Sequence, residues 1–594
     1  LVKIKVVCFI LSVFSILFHA LSFNFHKIGL YYKMMGGTMD KIKEHYKTII
    51  LLCVGLLILG LLIWYFFFVD HSDEEWWMQN HIALQEDQEL GASIYTVTKD
   101  DKISEENLTY QDIVERMIAE QTYTTAYTME RPFIIYNPYG TNFNSVNVYL
   151  DHEEGTTLSY SVSVDDEDIP DFTQTLYEAQ DGGYQLIGLV AGYENTVTLQ
   201  EKDSEDKVIN EFTFTITLPE RKNVQNKLEV IDGDSIESLE NGLFAVLGNA
   251  ENYKENTYLY DNNGILRGEI PNDGYRTDRF MIIDDYLVYN DSKDSIVFVN
   301  HLGKIDRRYE VEGYKFHHDY EYDEENNRFL ALVNKSGEKT MEDYIITIDV
   351  ETGEVEELIN MADLLPEMKE KAVMPTDNSY TGDRLDWVHL NSIDMDEDGD
   401  IIVSSRELST VIKIKDIDTK PAIDYMVGDQ SVWKDTSYAD LVLEKIGEGI
   451  PNAGQHTATI VTDENLEDGQ YYLILFNNNT NFTYTRPDFD WSSYPDSAGY
   501  MGGEHSYYQS YLIDETAKTY ELVDSIDLPY SSIVSSVQNY NGHVITMAGM
   551  AQTISEYDED GTLIKSYKFD ESKNAYRTFK YGFEDFWFAE SDED

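Results

Sequence analysis

The stretch DGDIIVSSRELSTVIKIKD, from Asp398 to Asp416, shows the pattern that decides the fold. It begins with a turn of Asp and Gly, continues into an apolar strand, and passes through a polar turn into a second strand. This pattern predicts two antiparallel strands, because Asp and Gly favour tight turns and β-branched residues favour extended backbone. Two strands cannot bury both of their faces alone, so we expect a larger array of sheets.

Five other segments of the chain repeat this pattern. They begin at Asn241, Asp284, Asn326, Asp468 and Asn541. Six copies, spaced by roughly 40 to 70 residues and each long enough for four strands, predict a six-bladed β-propeller over residues 223–594. We therefore expect ligands to bind at the central channel, where the innermost strand of each blade contributes side chains.

A smaller domain is predicted in front of the propeller. Residues 126–222 contain short alternating segments such as TTLSYSVSVDDE, from Thr156, which are typical of an antiparallel β-sandwich. Residues 70–125 are polar and contain one amphipathic helical piece, Gln111 to Gln121, so we interpret them as a spacer. The predicted fold class is thus mainly β, with the sandwich before the propeller and a membrane helix before both.

One apolar run has the length that a membrane span requires. It is TIILLCVGLLILGLLIWYFFFV, residues 48–69, and a bilayer core needs roughly 20 such residues. Lysines precede the run and acidic residues follow it, so residues 1–47 are predicted to be cytoplasmic and the body to lie outside the cell membrane. No cleavage site of small residues follows the run, which favours an uncleaved single-pass anchor.

An earlier apolar stretch, Val6 to Phe23, precedes the expected start of translation. The sequence opens with Leu1 instead of Met, and a Gly-Gly pair stands just upstream of Met39, as a translated ribosome-binding site would place it. We therefore expect translation to begin near Met35 or Met39, with residues 1–38 untranslated.

The composition excludes several classes of function. The 594 residues carry a formal net charge of -66, which argues against nucleic acid as a partner because two polyanions repel each other. The two cysteines, Cys8 and Cys53, both lie in the apolar N-terminal stretches. The outer body therefore has no disulfide, thiolate metal site or cysteine nucleophile, and an exported body without cysteine favours a bacterial source.

Three histidines occupy matching positions in consecutive copies of the repeat. His317, His389 and His456 each lie roughly a dozen residues before the apolar strand of their copy. Equivalent positions in different blades converge on the propeller axis, so we expect these imidazoles to face one space. The predicted cluster consists of His317, His318, His389, Asn391, Arg406 and His456. Imidazoles, a guanidinium and an amide are together suited to hold an oxyanion.

These segments resemble bacterial aryl-sulfate sulfotransferases, which move a sulfuryl group between phenols without a nucleotide donor. The likeness lies in the H-x-N-S stretch at His389 with the SSR that ends at Arg406, in QHTATI from Gln455, and in NPYGTN from Asn137. The resemblance implies a six-bladed propeller and a histidine that becomes transiently sulfated. That histidine corresponds to His456 in this sequence.

The resemblance also implies supporting roles for other residues. The supporting set is His317 or His318, together with His389, Asn391 and Arg406. A hydroxyl from the last blade is expected as well, and Ser532, Ser535 and Ser536 are equal candidates for it. Neither a metal nor a cofactor is expected, and the sequence shows no nucleotide-binding loop.

The implied reaction transfers a sulfuryl group from a phenolic sulfate donor to a phenol acceptor by a ping-pong mechanism. Two alternatives stay open: hydrolysis of aryl sulfates at the same site, and a non-catalytic propeller that binds a surface ligand. The usual sulfatase motif, Cys or Ser before x-Pro-x-Arg, is absent from the sequence, which argues against a metal-dependent sulfatase. The sandwich domain could also support a homodimer.

Overall fold

The computed structural model describes residues 72–594, except for 179–181, 223, 250–255, 376–380, 495–496, 498, 500–501, 571–574 and 591–594. The predicted membrane helix at residues 48–69 and the expected start of translation lie outside the described residues. Within the described part of the chain, no helix is both long and apolar enough to cross a bilayer. What the structure describes is mainly β, as the sequence predicts.

The chain divides into two compact units, one that ends at His81 and one that runs from Ile82 to the C-terminus. Helix α1 (Ser72–Gln79) belongs to the first unit. All the elements that follow in the chain belong to the second.

The second unit begins, in the residues that the structure describes, with nine strands in two sheets. In chain order they are β1 (Ile82–Glu86), β2 (Ile94–Lys99), β3 (Phe133–Tyr136), β4 (Ser145–Tyr149), β5 (Thr157–Val164), β6 (Phe172–Thr175), β7 (Gly183–Ile187), β8 (Glu194–Lys202) and β9 (Val208–Thr217). One sheet has the order β1-β2-β3-β4-β7 and the other β6-β5-β8-β9. Val148 and Leu186 from the first sheet share a buried core with Tyr160 and Val197 from the second. Alternating apolar residues produce this arrangement when each sheet buries one face.

Residues 82–124 are folded as part of this unit. Strand β2 pairs in parallel with β3, and helix α2 (Leu108–Thr124) follows with Asn107 as its N-cap. The side chain of Gln111 in this helix accepts a hydrogen bond from the backbone N–H of Ile305. The segment, interpreted from its polarity as a spacer, therefore contributes strands and a helix to the body, because its few apolar residues lie on one buried helix face.

Among the described residues, the remaining strands form six further sheets. In chain order they are β10 (Glu229–Asp232), β11 (Leu243–Asn249), β12 (Thr257–Tyr260), β13 (Leu266–Ile270), β14 (Met281–Ile283), β15 (Tyr286–Tyr289), β16 (Ser295–Asn300), β17 (Ile305–Glu310), β18 (Tyr314–Asp323), β19 (Arg328–Lys335), β20 (Tyr344–Asp349), β21 (Val355–Asn360), β22 (Leu390–Met395), β23 (Ile401–Ser405), β24 (Thr410–Lys415), β25 (Ala422–Gly428), β26 (Glu444–Ile446), β27 (His456–Val461), β28 (Gln470–Asn477), β29 (His505–Asp514), β30 (Thr519–Pro529), β31 (Ser536–Tyr540), β32 (His543–Ala548), β33 (Thr553–Tyr557), β34 (Leu563–Lys568) and β35 (Ala575–Tyr581). The helices between them are α3 (Met361–Leu364), α4 (Pro366–Lys371) and α5 (Gln430–Trp433), with 3₁₀ turns at Ala439–Leu441 and Trp491–Ser493.

Four of these sheets use strands that are close in sequence. Their orders are β14-β15-β16-β17, β18-β19-β20-β21, β22-β23-β24-β25 and β26-β30-β29-β28-β27. The other two combine the two ends of the region: β13-β12-β11-β35 and β10-β34-β33-β32-β31. Each copy of the sequence pattern supplies strands to a different sheet, as the repeat predicts.

The edge strands of successive sheets also contact one another. The contacts run from β18 to β22, from β22 to β27, from β27 to β31 and from β31 to β35. The last strand of the chain, β35, pairs with β11 and so completes the sheet that the first copy of the pattern begins. Residues at the starts of these edge strands are therefore brought near one another.

Candidate active site

Four histidines lie together where the edge strands meet. The ring centroids of His317 and His318 are 3.8 Å apart, and those of His318 and His389 are 5.2 Å apart. The ring of His456 lies 6.4 Å from that of His318. All four side chains are more than nine-tenths buried. The structure thus brings together the imidazoles that the sequence places at matching positions of its repeat.

The backbone is distorted where each histidine joins its strand. His318 and His389 have φ values of 66° and 49°, and Thr457, directly after His456, has a φ of 53°. The register of the strand pairing shifts at the same three places. Bulges of this kind re-aim side chains and are common beside active sites. A left-handed φ outside glycine is also costly and persists only where the surrounding structure enforces it.

His456 is held in one orientation by an asparagine. Its Nδ1 lies 2.6 Å from Oδ1 of Asn478, while Nδ2 of Asn478 donates to the carbonyl oxygens of Ser531 and Val534 at 2.7 and 3.0 Å. Since the amide nitrogen is committed to two carbonyls, Oδ1 must be the atom that faces the imidazole, and it can only accept. His456 therefore carries its hydrogen on Nδ1 and has a lone pair on Nε2.

Burial also keeps His456 neutral. Burial lowers the pKa of His456 well below the usual range, although the hydrogen bond with Asn478 acts to raise it. The positive charges of His389 and Arg406 lower this pKa further. A neutral imidazole with a lone pair on Nε2 is a competent nucleophile.

His389 has the opposite electrostatic environment. Its Nδ1 lies 2.6 Å from Oδ2 of Asp386 and 2.5 Å from Oε2 of Glu342. Burial and Arg406 lower the pKa of His389, but the two carboxylates outweigh them and raise it to about 9. In turn, burial raises the pKa of Asp386 to about 6, although His389 acts to lower it. His389 is thus the member of the cluster that can carry an extra proton near neutral pH.

His317 and His318 have different surroundings. His317 turns towards Glu342, with 3.3 Å between Nε2 and Oε2, and burial lowers its pKa to about 3. His318 turns towards the other rings, with its Nε2 3.3 Å from Nε2 of His389. Its Nδ1 faces the Tyr576 hydroxyl at 2.5 Å and Nη2 of Arg276 at 2.8 Å. Of the two, His318 is the one that lies against His456.

Arg406 lies near enough to the cluster to act electrostatically on His389 and His456. Its guanidinium donates to Glu407 at 3.0 Å and lies 5.2 Å from the ring of Tyr484, in the long loop between β28 and β29. The side chain is 11% exposed, so the positive charge acts in a largely dry environment. It is one of the charges that shift the pKa values of both His389 and His456.

The other predicted residues are buried beside the cluster. Asn391 donates through Nδ2 to the carbonyl of Gln455 at 2.8 Å, which ties β22 to the start of β27. The hydroxyl of Ser535 donates to that of Ser531 at 2.8 Å, and Ser536 donates to the carbonyl of Thr578 at 2.9 Å. Both of these serines therefore support the last sheet. Ser532 is buried as well.

Five residues of the site were not found from the sequence. They are Arg276, Glu342, Asp386, Asn478 and Tyr576. Only Asp386 had a local signal, because it stands three positions before His389. The others come from loops and strands far away in the sequence, and nothing in their own segments distinguishes them.

Two groups of side chains in the described residues could hold a metal ion. They are His317, His318 and Glu342, and Glu342, Asp386 and His389. Both groups are buried, and they share Glu342. The sequence, by contrast, predicts no metal.

Comparison with known families identifies the chain. A family model described as Arylsulfotransferase (ASST) matches residues 229–581, more than half of the sequence. The chain belongs to the arylsulfotransferase family. A second family model, the arylsulfotransferase Ig-like domain, matches residues 133–219 of this arylsulfotransferase. The resemblance found at His389, Arg406 and Gln455 is thereby confirmed, and the matches support an aryl sulfate sulfotransferase activity in general. No curated protein matches the chain.

Solved structures resemble this arylsulfotransferase only weakly. An auxiliary nutrient binding protein from Bacteroides thetaiotaomicron has 9% identity and a TM-score of 0.30, with 71% of this chain and 93% of that chain covered. The apo protein AztD from Citrobacter koseri has 9% identity and a TM-score of 0.23, with 72% and 99% covered. Likenesses at this level carry no weight for function.

Proposed function

We propose that this arylsulfotransferase moves a sulfuryl group from a phenolic sulfate ester to a phenol in two steps, through a sulfohistidine on Nε2 of His456. The observation that carries the proposal is the 2.6 Å hydrogen bond between His456 Nδ1 and Asn478 Oδ1. It leaves a lone pair on Nε2 of a neutral, buried imidazole. The sequence has no nucleotide-binding loop, so we propose an aryl sulfate, and no nucleotide, as the donor.

In the first step, Nε2 of His456 attacks the sulfur of the donor, and the bond between sulfur and the aryl oxygen breaks. The phenoxide leaves with the bonding electron pair and takes a proton from His389, whose raised pKa keeps it protonated near neutral pH. In the second step, the acceptor phenol returns that proton to His389, and its oxygen takes the sulfuryl group from His456. One site thus serves both half-reactions, which is the ping-pong order.

The guanidinium groups around the cluster would stabilise the sulfuryl oxygens. Arg406 acts electrostatically on both His389 and His456, and Arg276 reaches His318. A planar guanidinium can contact two oxygens of one sulfuryl group at once. Positioning and electrostatics would then provide most of the catalysis, as they do in phosphoryl transfer.

We infer in addition that the six sheets are the blades of a six-bladed β-propeller and that the histidine cluster lies at its channel. The pairing of β35 with β11 supports this, because a C-terminal strand that completes the first sheet leaves no unpaired end to the array. The apolar run at residues 48–69 supports a single-pass anchor in the cell membrane with the catalytic body outside.

A chromogenic aryl sulfate, offered with and without added phenol, tests the proposed reaction. Release of the chromophore only in the presence of phenol supports transfer, release without phenol supports hydrolysis, and no release supports a binding protein. After incubation with donor, mass spectrometry should find the sulfuryl mass on the peptide that contains Gln455 to Thr459. His456→Ala should abolish both the label and turnover, and a label on a serine or tyrosine peptide would refute the mechanism.

A further inference from the structure

A buried carboxylate that the proposed reaction does not use lies directly beside Arg406. It belongs to Glu407, whose side chain is fully buried, and it accepts a hydrogen bond from Nη2 of Arg406 at 3.0 Å. The same carboxylate accepts from the hydroxyls of Thr483 and Thr485 at 2.5 and 3.0 Å. The backbone N–H groups of Tyr484 and Thr485 also donate to it, at 3.2 Å each. Glu407 therefore connects the guanidinium to residues 483–485 of the long loop between β28 and β29.

The turn that begins at Arg406 is fixed between two histidines of the cluster. The N–H of Arg406 donates to the carbonyl of His389 at 3.1 Å. Ser409, at the end of the turn, accepts through its hydroxyl from the N–H of Gly454 at 3.1 Å, two residues before His456. The backbone thus determines where the arginine side chain starts. The direction of the guanidinium depends on its side-chain contacts, because a long side chain has many rotamers.

Two of these contacts meet in the same loop. Besides its bond to Glu407, the guanidinium of Arg406 lies 5.2 Å from the ring of Tyr484, and a cation over an aromatic face is attracted to it. The ring of Phe482 packs edge-on against that of Tyr484, with the centroids 4.6 Å apart. Nη2 of Arg486 donates to the backbone carbonyl of Glu407 at 2.5 Å. Glu407 thus fixes both Arg406 and the loop whose ring lies against Arg406.

Glu407 keeps its charge in this buried position. Burial acts to raise the pKa of Glu407, but the positive charge of Arg406 and the hydrogen bond from Thr483 outweigh it and hold the pKa below the usual range. An ionised carboxylate can only accept hydrogen bonds, so all of these N–H and O–H groups donate to it. Hydrogen bonds to an ionised group are roughly twice as strong as those between neutral groups.

We propose that Glu407 is a positioning residue of the sulfuryl-transfer site, which holds the guanidinium of Arg406 and the ring of Tyr484 in one fixed arrangement. The inference rests on the proposed function. A guanidinium carries its donors in a rigid planar fork, so a bond at Nη2 sets the direction in which the fork meets the sulfuryl oxygens. Donors that are already oriented need no reorganisation when charge develops in the transition state. Glu407 acts through Arg406 and does not touch the substrate.

Glu407→Gln tests the proposal, because it keeps the shape of the side chain but removes the charge and replaces one acceptor oxygen by an NH₂ donor. The value of kcat should fall at least about tenfold, since a misplaced catalytic group is costly. The KM for a chromogenic aryl sulfate should change less than about threefold, because the guanidinium contact tightens in the transition state. An unchanged kcat would overturn the proposal.

The matched control is Glu201→Gln in the sandwich. This buried carboxylate also fixes a turn, since it accepts from the N–H of Glu153 at 2.8 Å, the hydroxyl of Thr156 at 2.9 Å and Nδ2 of Asn210 at 2.7 Å. The control should unfold at lower urea concentration than the wild type and keep its kcat. An equal loss of kcat in both variants would mean that Glu407 acts only through general stability, which would overturn the proposal.

A double-mutant cycle shows whether Glu407 acts through the arginine. Glu407→Gln combined with Arg406→Ala should have the kcat of Arg406→Ala alone, within about twofold, because the carboxylate then has no guanidinium to hold. Losses that multiply would show two independent effects and would overturn the proposal.

Hydrogen exchange needs no turnover and separates this inference from the proposed function. The amides of Tyr484 and Thr485 should exchange at least about tenfold faster in Glu407→Gln than in the wild type or in Glu201→Gln, because they lose a charged acceptor. Equal exchange would overturn the proposal. If Glu407→Gln does not fold, the milder Thr483→Val, which removes one hydrogen bond to the carboxylate, should show the same changes to a smaller extent. A wild type that releases no chromophore refutes the proposed reaction, and exchange still decides whether Glu407 holds the loop.

Discussion

An asparagine 22 positions after His456 determines which nitrogen of that histidine can react. Asn478 can do so because its amide nitrogen is already committed to two carbonyls of the last sheet. The orientation of one amide therefore decides the tautomer of the imidazole. At the scale of single residues, the chemistry of the site depends on such partners as much as on the histidines themselves.

Asn478→Ala should lower kcat about 100-fold or more with little change in the KM for the donor. Without the acceptor at Nδ1, the tautomer with its hydrogen on Nε2 becomes populated, and that tautomer cannot attack sulfur. Steady-state kinetics with a chromogenic aryl sulfate measures the effect. The control is Asn479→Gly: this neighbour has a φ of 53°, which glycine adopts without strain. Equal losses in both variants would show a general disturbance of the loop.

The environment of His389 predicts how stability and activity depend on pH. Asp386 and Glu342 hold its pKa in the folded state at about 9, above the unfolded value of about 6.5. The protonated ring therefore stabilises the fold fully below pH 6.5, and this contribution, on the order of 3 kcal/mol, is lost as the pH rises through about 9.

Urea unfolding between pH 7 and pH 10 measures this loss, and kcat should fall over the same range as His389 loses its proton. Asp386→Asn removes one of the carboxylates that raise the pKa, so its decline should begin at lower pH. A wild-type stability that does not change up to pH 10 would contradict the assignment.

At the scale of secondary-structure elements, β35 joins the end of the chain to its first sheet. Lys580 on this strand is fully buried and donates to Oε2 of Glu556 on β33 at 2.7 Å. Oε1 of Glu556 lies 3.0 Å from Nδ1 of His543 on β32. A buried ion pair thus connects the sheet that β35 completes with the neighbouring sheet.

Lys580→Met should reduce the free energy of unfolding by about 3–5 kcal/mol, because it leaves the carboxylate of Glu556 buried without its cation. The double variant Lys580→Met with Glu556→Gln should recover part of this loss. Urea unfolding measures all of them. The control is Lys335→Met, which removes an exposed ion pair with Glu357 and should cost less than about 1 kcal/mol. If Lys580→Met costs equally little, the ion pair between Lys580 and Glu556 does not hold the two sheets together.

At the scale of the whole molecule, we expect the folded body to form without the predicted anchor. The second unit begins at Ile82, and both cysteines of the chain precede it in the sequence. The body therefore needs no oxidising compartment to form disulfides. Its acidic residues, which dominate the net charge of -66, should keep it soluble.

A shortened chain that begins at Asp73 should be soluble without detergent when made in a bacterial cytoplasm, and it should keep the activity of the full chain. A matched chain that begins at Met39 retains the apolar run and should sediment with membranes. Fractionation and the chromogenic assay check both proteins. Aggregation of the shorter chain, or a folded but inactive product, would show that the apolar segment contributes to the fold or the site.

The fold could be predicted because its signal is local and repeated. Each copy of the pattern, such as the one from Asp398 to Asp416, contains its own turn residues and its own alternation of apolar and polar residues. Six copies therefore indicate the same structural unit six times. The strands before residue 126 were harder to predict from the sequence, because β1 and β2 join a sheet whose other strands, β3, β4 and β7, come later in the chain. A polar sequence with few apolar residues does not reveal that pairing.

The sequence by itself determined the family, the repeat of strands and the histidines that converge, because residues at equal positions of a repeat take equivalent places in the fold. Only the tertiary structure decided what each histidine can do. Equal imidazoles at His389 and His456 have opposite protonation, since two carboxylates face the first and an amide oxygen faces the second. A pKa depends on charges and burial within a few ångströms, and those neighbours arrive from loops that no local pattern connects to the histidines.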